Sequence, residues 1–106
     1  MDVSVRAHNV DLTDSVRAMA QRKLSALERI VHDVWRVELD FADQRNPRVS
    51  DHTRCSARVH LRRGLLTAHA SAPNPEAALD QCITKLRHQA ERTKGRRVNA
   101  RVRGSL

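Results

Sequence analysis

Apolar residues recur along this chain with two different periods, and each change of period marks a new element. Val3, Val5 and Ala7 alternate with Ser4, Arg6 and His8, the two-residue repeat of a half-buried strand. After Thr13, whose hydroxyl suits a helix cap, the repeat lengthens. Val16, Ala20, Leu24, Leu27 and Val31 fall on one face beside Met19 and Ile30, which predicts an amphipathic helix over 13–31. Trp35, Val37, Leu39 and Phe41 then alternate with Arg36, Glu38 and Asp40, giving a second strand with its apolar side built on those four residues. The polar run Gln44-Arg45-Asn46-Pro47-Arg48-Val49-Ser50-Asp51 ends it in a loop.

Cys55, Ala57, Val59 and Leu61 set the apolar side of a third strand, which meets Arg63-Gly64. Glycine supplies the positive φ that a tight hairpin turn needs. With Arg63-Gly64 as a two-residue loop, Leu61 faces Leu66 and Val59 faces Ala68. Leu66, Ala68, Ala70 and Ala72 then continue the same apolar side along a fourth strand. Asn74 as N-cap, Pro75 at the first helical position and Glu76 near the positive end of the dipole open a second helix, whose stripe is Leu79, Cys82, Ile83, Leu86 and Ala90.

The order is βαβββα, an α+β domain: a four-stranded mixed sheet with both helices packed on one face. The first crossover is right-handed and joins parallel strands. Because every strand has a single apolar side, the other face is expected to be wet. It carries Arg6, Arg36, Glu38, Asp40, Arg54, Arg58, His60 and Arg62, a mixture of signs that fits cross-strand charge pairing. One domain is expected over 2–94, followed by a basic and flexible tail over 95–106.

Charge narrows the partner. The 106 residues contain 20 Lys and Arg against 12 Asp and Glu, a net charge of +8, and no acidic residue follows Glu91. Positive charge therefore gathers at one end of the chain, the footprint of a nucleic-acid binder. A membrane partner would need a long apolar span, a signal peptide or a helix with bulky apolar anchors. The sequence has none, and its beginning reads directly as a strand, so a cytoplasmic protein is expected. Trp35 and Phe41 are the only aromatics, which argues against single-strand binding on an aromatic stacking platform. Contacts to a phosphate backbone would have to supply the affinity.

A catalytic or metal-dependent role finds little to stand on. His8, His32, His52, His60, His69 and His88 are scattered, with no zinc-binding spacing, and the three glycines form no phosphate loop. Cys55 and Cys82 are read as buried free thiols. No enzyme, cofactor or metal is expected. Binding has named candidates: Arg22 and Arg29 project from the first helix, and Lys23 lies within the angular range of its apolar stripe. Lys23 either snorkels to water or delivers its charge to the groove between the helices, where a phosphate could sit. On the second helix Lys85, His88 and Arg92 share one side, while Arg87 and Lys94 take the other, and Arg96, Arg97, Arg101 and Arg103 follow.

The ordered set Val3-Ser4-Val5-Arg6-Ala7-His8-Asn9-Val10-Asp11-Leu12-Thr13-Asp14-Ser15-Val16-Arg17, Lys23, Leu27-Glu28, Ala68-His69-Ala70-Ser71-Ala72, Ala77-Ala78-Leu79-Asp80 and Lys85-Leu86 with Gln89 resembles the ribosome hibernation-promoting factor and ribosome-associated inhibitor family. The resemblance runs from residue 2 to about residue 94. It implies a bacterial cytoplasmic protein with a fold like that of a double-stranded-RNA-binding domain. Such a protein binds the small ribosomal subunit between head and body, contacts its rRNA where mRNA and tRNAs would lie, and silences idle ribosomes. The family's basic contacts match Lys23, Lys85, His88, Arg92 and Lys94; Arg22, Arg29, Arg87, Arg96 and Arg97 are added from charge and placement. Two departures stand out: the lead-in Pro73-Asn74-Pro75-Glu76 is shorter and lacks a tyrosine, and Ala26 replaces a family lysine.

The extra carboxy-terminal domain by which long members pair ribosomes is also missing. A short form, or the amino-terminal domain of a longer protein, is expected. Ribosome pairing would then fall to another hibernation factor or to that missing dimerisation domain. The competing expectation is a general double-stranded-RNA or nucleoid-binding module, which the same fold and charge would serve.

Overall fold

The computed structural model describes residues 1–44 and 52–104, from 93 onward as backbone alone. Along the chain run β1 (Asp2–His8), α1 (Asp14–Ile30), β2 (Val34–Asp43), β3 (Thr53–Leu61), β4 (Gly64–Ala72) and α2 (Pro75–Gly104). The sheet order is β1-β2-β3-β4, with β1 and β2 parallel and the remaining pairs antiparallel. Both helix starts follow the local chemistry. Thr13 Oγ1 accepts from the Val16 amide at 3.2 Å, and Asn74 Oδ1 accepts from the Ala77 amide at 2.8 Å, satisfying amides that have no partner within the helix. Asn9 takes a left-handed φ of 59° where the chain leaves β1, a conformation asparagine tolerates better than most residues.

One core joins the helical stripes to one side of the sheet: Val16, Leu24 and Leu27 of α1, Val37, Leu39 and Phe41 of β2, Cys55 and Val59 of β3, and Leu79, Ile83 and Leu86 of α2 are all buried together. The opposite side of the sheet is the polar one. There Arg36 donates to Glu38 at 3.3 Å and His60 Nε2 donates to Glu38 Oε2 at 3.0 Å, the charge pairing that the mixed signs imply.

The hairpin differs from the sequence expectation. The loop is Arg62-Arg63, with Leu61 opposite Gly64, Val59 opposite Leu66 and Ala57 opposite Ala68. The slip is two residues. Because side chains alternate with a period of two, such a slip leaves every inward residue inward, so polarity alone could not separate the two registers. Gly64 has φ +150°, a backbone setting that a side chain would strain.

Trp35 is a second correction. A register irregularity between Val34 and Arg36 inserts one extra residue opposite the Leu61 and His60 pair, the signature of a β-bulge. Val34 takes the inward place, 8% exposed, and Trp35 turns out of the core at 51% exposed. β1 is likewise less covered than its alternation suggests. Val3 is 41% exposed and Ala7 is exposed, because β1 is the outer strand, next to β2 alone. Finally, α2 does not stop at 94. Its backbone stays helical through Gly95 to Gly104, since Arg and Lys favour helix and a single glycine weakens it by only about 1 kcal/mol.

Candidate nucleic-acid interface

α1 and α2 lie side by side on the sheet, and the candidate residues divide along α2. One flank faces α1. There Lys23 Nζ donates to Asp80 Oδ1 at 2.6 Å, tying the helices together from a position half-buried beside the core. Lys23 therefore does place its charge in the interhelical groove, as one of its two expected roles required, but Asp80 occupies it. Arg87 lies two turns beyond Asp80 on this flank and is exposed. Arg22 and Arg29, seven residues apart on the outward side of α1, are exposed as well.

The other flank of α2 borders the open edge of β4. Lys85 Nζ donates to the His69 carbonyl at 2.8 Å, and Gln89 Nε2 donates to the Thr67 carbonyl at 2.6 Å. These two side chains cover backbone acceptors that an edge strand otherwise offers to a neighbouring chain. The sequence placed Lys85 with His88 and Arg92 as outward charges. All three are exposed, as that placement requires; Lys85 in addition makes the contact to the β4 edge, and His88 and Arg92 border a shallow depression with Glu91. Arg92 Nε reaches back to the His88 carbonyl at 3.4 Å. Lys94, Arg96 and Arg97 lie on the helical backbone beyond, and their side chains fall outside the described residues.

Cys55 and Cys82 are fully buried free thiols. What the sequence did not reveal is that they meet: Cys55 points inward from β3 and Cys82 inward from α2, with Cys82 Sγ donating to the Ala68 carbonyl at 3.5 Å. The hydrogen bond between the thiols and the burial of the pair push the Cys55 thiol well above its ordinary pKa. Among the described residues no group of His, Cys, Asp and Glu is placed to hold a metal ion. No described helix is long and apolar enough to cross a membrane.

Residues 3–98 match the family described as sigma 54 modulation protein / S30EA ribosomal protein. Over 94 residues the chain is 28% identical to the ribosome hibernation promoting factor of Salmonella typhimurium, covering 89% of this chain and 94% of that protein. It is 27% identical to the protein of the same name from Klebsiella oxytoca, with the same coverage. Two solved structures share the fold. The Thermus thermophilus Protein Y N-terminal domain has a TM-score of 0.73 at 21% identity, covering 88% of this chain and 99% of that one. A ribosomal subunit interface protein from Coxiella burnetii has a TM-score of 0.75 at 18% identity, covering 90% and 99%.

Proposed function

We propose, for a chain that belongs to the sigma 54 modulation protein / S30EA ribosomal protein family, that it silences ribosomes by lying on the small subunit and occluding the mRNA and tRNA sites. At the coarser level the chain is a ribosome hibernation or subunit interface protein, a class that binds without catalysing a reaction. The finer steps are inferred from charge. Exposed Arg22, Arg29, Arg87, His88 and Arg92, with Lys94, Arg96 and Arg97 following, would contact rRNA phosphates, each neutralised phosphate releasing counterions. Such a protein would act in the bacterial cytoplasm during stress or stationary phase. The observation that carries this reading is the family match across nearly the whole chain.

Sucrose-gradient sedimentation with purified small subunits, large subunits and whole ribosomes tests it. The protein is expected to travel with small subunits. Arg87→Glu combined with Arg92→Glu is expected to weaken that association without unfolding the domain, because both side chains are exposed and neither joins the core. Equal binding to any RNA duplex, or to DNA, would favour the general nucleic-acid module instead. Unchanged cosedimentation of the double variant would move the interface off α2.

A further inference from the structure

We propose that the far end of the polar sheet face is a second RNA contact, in which Trp35 stacks on an unpaired base while Arg62 and Arg63 hold the adjoining phosphates. The site lies on the opposite side of the sheet from the helices. It goes beyond the ribosome-binding reading, which places rRNA on α1 and α2, and relies on that reading only for choosing RNA as the partner.

The bulge at Val34 and Arg36 makes the site. Without the extra residue, simple alternation along β2 would carry Trp35 into the core; with it, Val34 fills the inward position and the indole is half exposed. Bulges re-aim side chains in this way. Trp35 is also held in place. Its ring lies 5.5 Å from the His60 ring at an interplanar angle of 50°, and His60 is fixed by its hydrogen bond to Glu38. Leu65, directly across from His60 and 45% exposed, extends the apolar surface. An exposed indole beside an exposed leucine, on a face otherwise polar, wants a flat apolar partner.

Charge selects which one. The amide of Arg62 donates to the Asp33 carbonyl at 3.2 Å, which ties the β3–β4 turn to the residues that precede Trp35. The consecutive exposed side chains of Arg62 and Arg63 are thereby anchored at the same end of the sheet. Glu38, an acid of this patch, is engaged by Arg36 and His60. A planar apolar surface bordered by paired arginines complements a base with its phosphates, since every base offers a π-face and stacking tolerates any sequence. One tryptophan holds one base, so this is a single anchor rather than the multi-aromatic platform of an RNA-reading sheet.

Trp35 is the sole tryptophan, so its emission reports on this site alone. Titrating the full chain with a short oligouridine should quench that emission saturably. Heparin, a polyanion without bases, should not. Trp35→Leu should weaken binding of a labelled oligouridine by about tenfold and Trp35→Phe should recover part of it, with circular dichroism unchanged for an exposed side chain. Arg62→Ser with Arg63→Ser should weaken binding and flatten its salt dependence. The quench should persist in Arg87→Glu/Arg92→Glu, the variant expected to bind small subunits more weakly, which separates failure of this site from failure of the helical one. Unchanged affinity of Trp35→Leu, equal quenching by heparin, or loss of the quench in the helix variant would overturn the proposal. So would self-association that depends on Trp35, which would assign the patch to a second copy of the chain.

Discussion

Lys23 Nζ and Asp80 Oδ1 lie 2.6 Å apart across the two helices, with side chains 27% and 56% exposed. At that exposure the pair stabilises the fold by no more than about 1 kcal/mol, so its main effect is on the charge of the groove. Asp80→Asn is expected to raise affinity for small subunits, because it frees Lys23 and removes an acid from the face meant for phosphate. Lys23→Ala is expected to lower it, and by more than Arg6→Ala or Arg54→Ala on the sheet face. Equilibrium binding of the four variants checks both statements. Weaker binding by Asp80→Asn would mean that the pair positions Lys23 for its contact, and larger losses from the sheet-face variants would reverse the orientation of the domain.

Glu38 is a second single-residue case. The His60 hydrogen bond, with Arg36 and Arg58 nearby, holds its carboxyl below the ordinary value of 4.5. A lowered pKa in the folded state favours folding once the group is ionised. That contribution is complete above the ordinary carboxylate range and is lost as pH falls through the lower folded value. Below about pH 4.5 the native chain should therefore lose melting temperature more steeply than Glu38→Gln. Parallel acid limbs would show that the pairing adds nothing to the fold.

At the scale of elements, the sequence was most informative where one chemical rule acts alone. Thr13 and Asn74 cap as expected, and the stripe of Val16, Leu24 and Leu27 meets that of Leu79, Ile83 and Leu86 in one core. Legibility ended where two arrangements satisfy the same pattern. The hairpin slipped by two residues without moving any side chain to the other face, and the bulge let Val34 take the place that alternation assigned to Trp35. Partner choice was equally hidden. Residue spacing put Lys23 and Lys85 near helix surfaces, but only the packing of α1 against α2 and of α2 along β4 showed that Lys23 pairs with Asp80 and that Lys85 donates to the His69 carbonyl. The contact between Cys55 and Cys82 has the same origin and carries its own consequence. Both thiols are fully shielded from solvent, so neither cysteine should react with a maleimide until denaturant opens the core. Cys55→Ala should destabilise by about 1 kcal/mol and leave ribosome binding unchanged. Rapid labelling of the folded chain would contradict the burial.

For the whole molecule, the distribution of charge matters more than its total. Ala90 is the last buried residue described on α2, and beyond Glu91 the chain carries Arg92, Lys94, Arg96, Arg97, Arg101 and Arg103 without an acid. The helical backbone continues through this stretch to Gly104, so its cations are linked to the domain by helix across the boundary at 94. Deleting residues 95–106 removes four arginines but no strand among the described residues and none of the residues described as forming the core, and the shortened protein should melt close to the full chain. Ribosome binding should weaken and become less sensitive to salt. Each phosphate contact adds about 0.7 to 0.9 to the magnitude of the log–log slope, so the loss of four such contacts would make it shallower by about 3. Inhibition of translation should persist at higher protein concentration, because the folded domain provides the occluding bulk and the basic extension strengthens its attachment. Measuring affinity at several salt concentrations for both lengths decides the matter. Identical slopes would show that the arginines beyond residue 94 make no contact with rRNA, and the interface would then be confined to α1 and the core-packed part of α2.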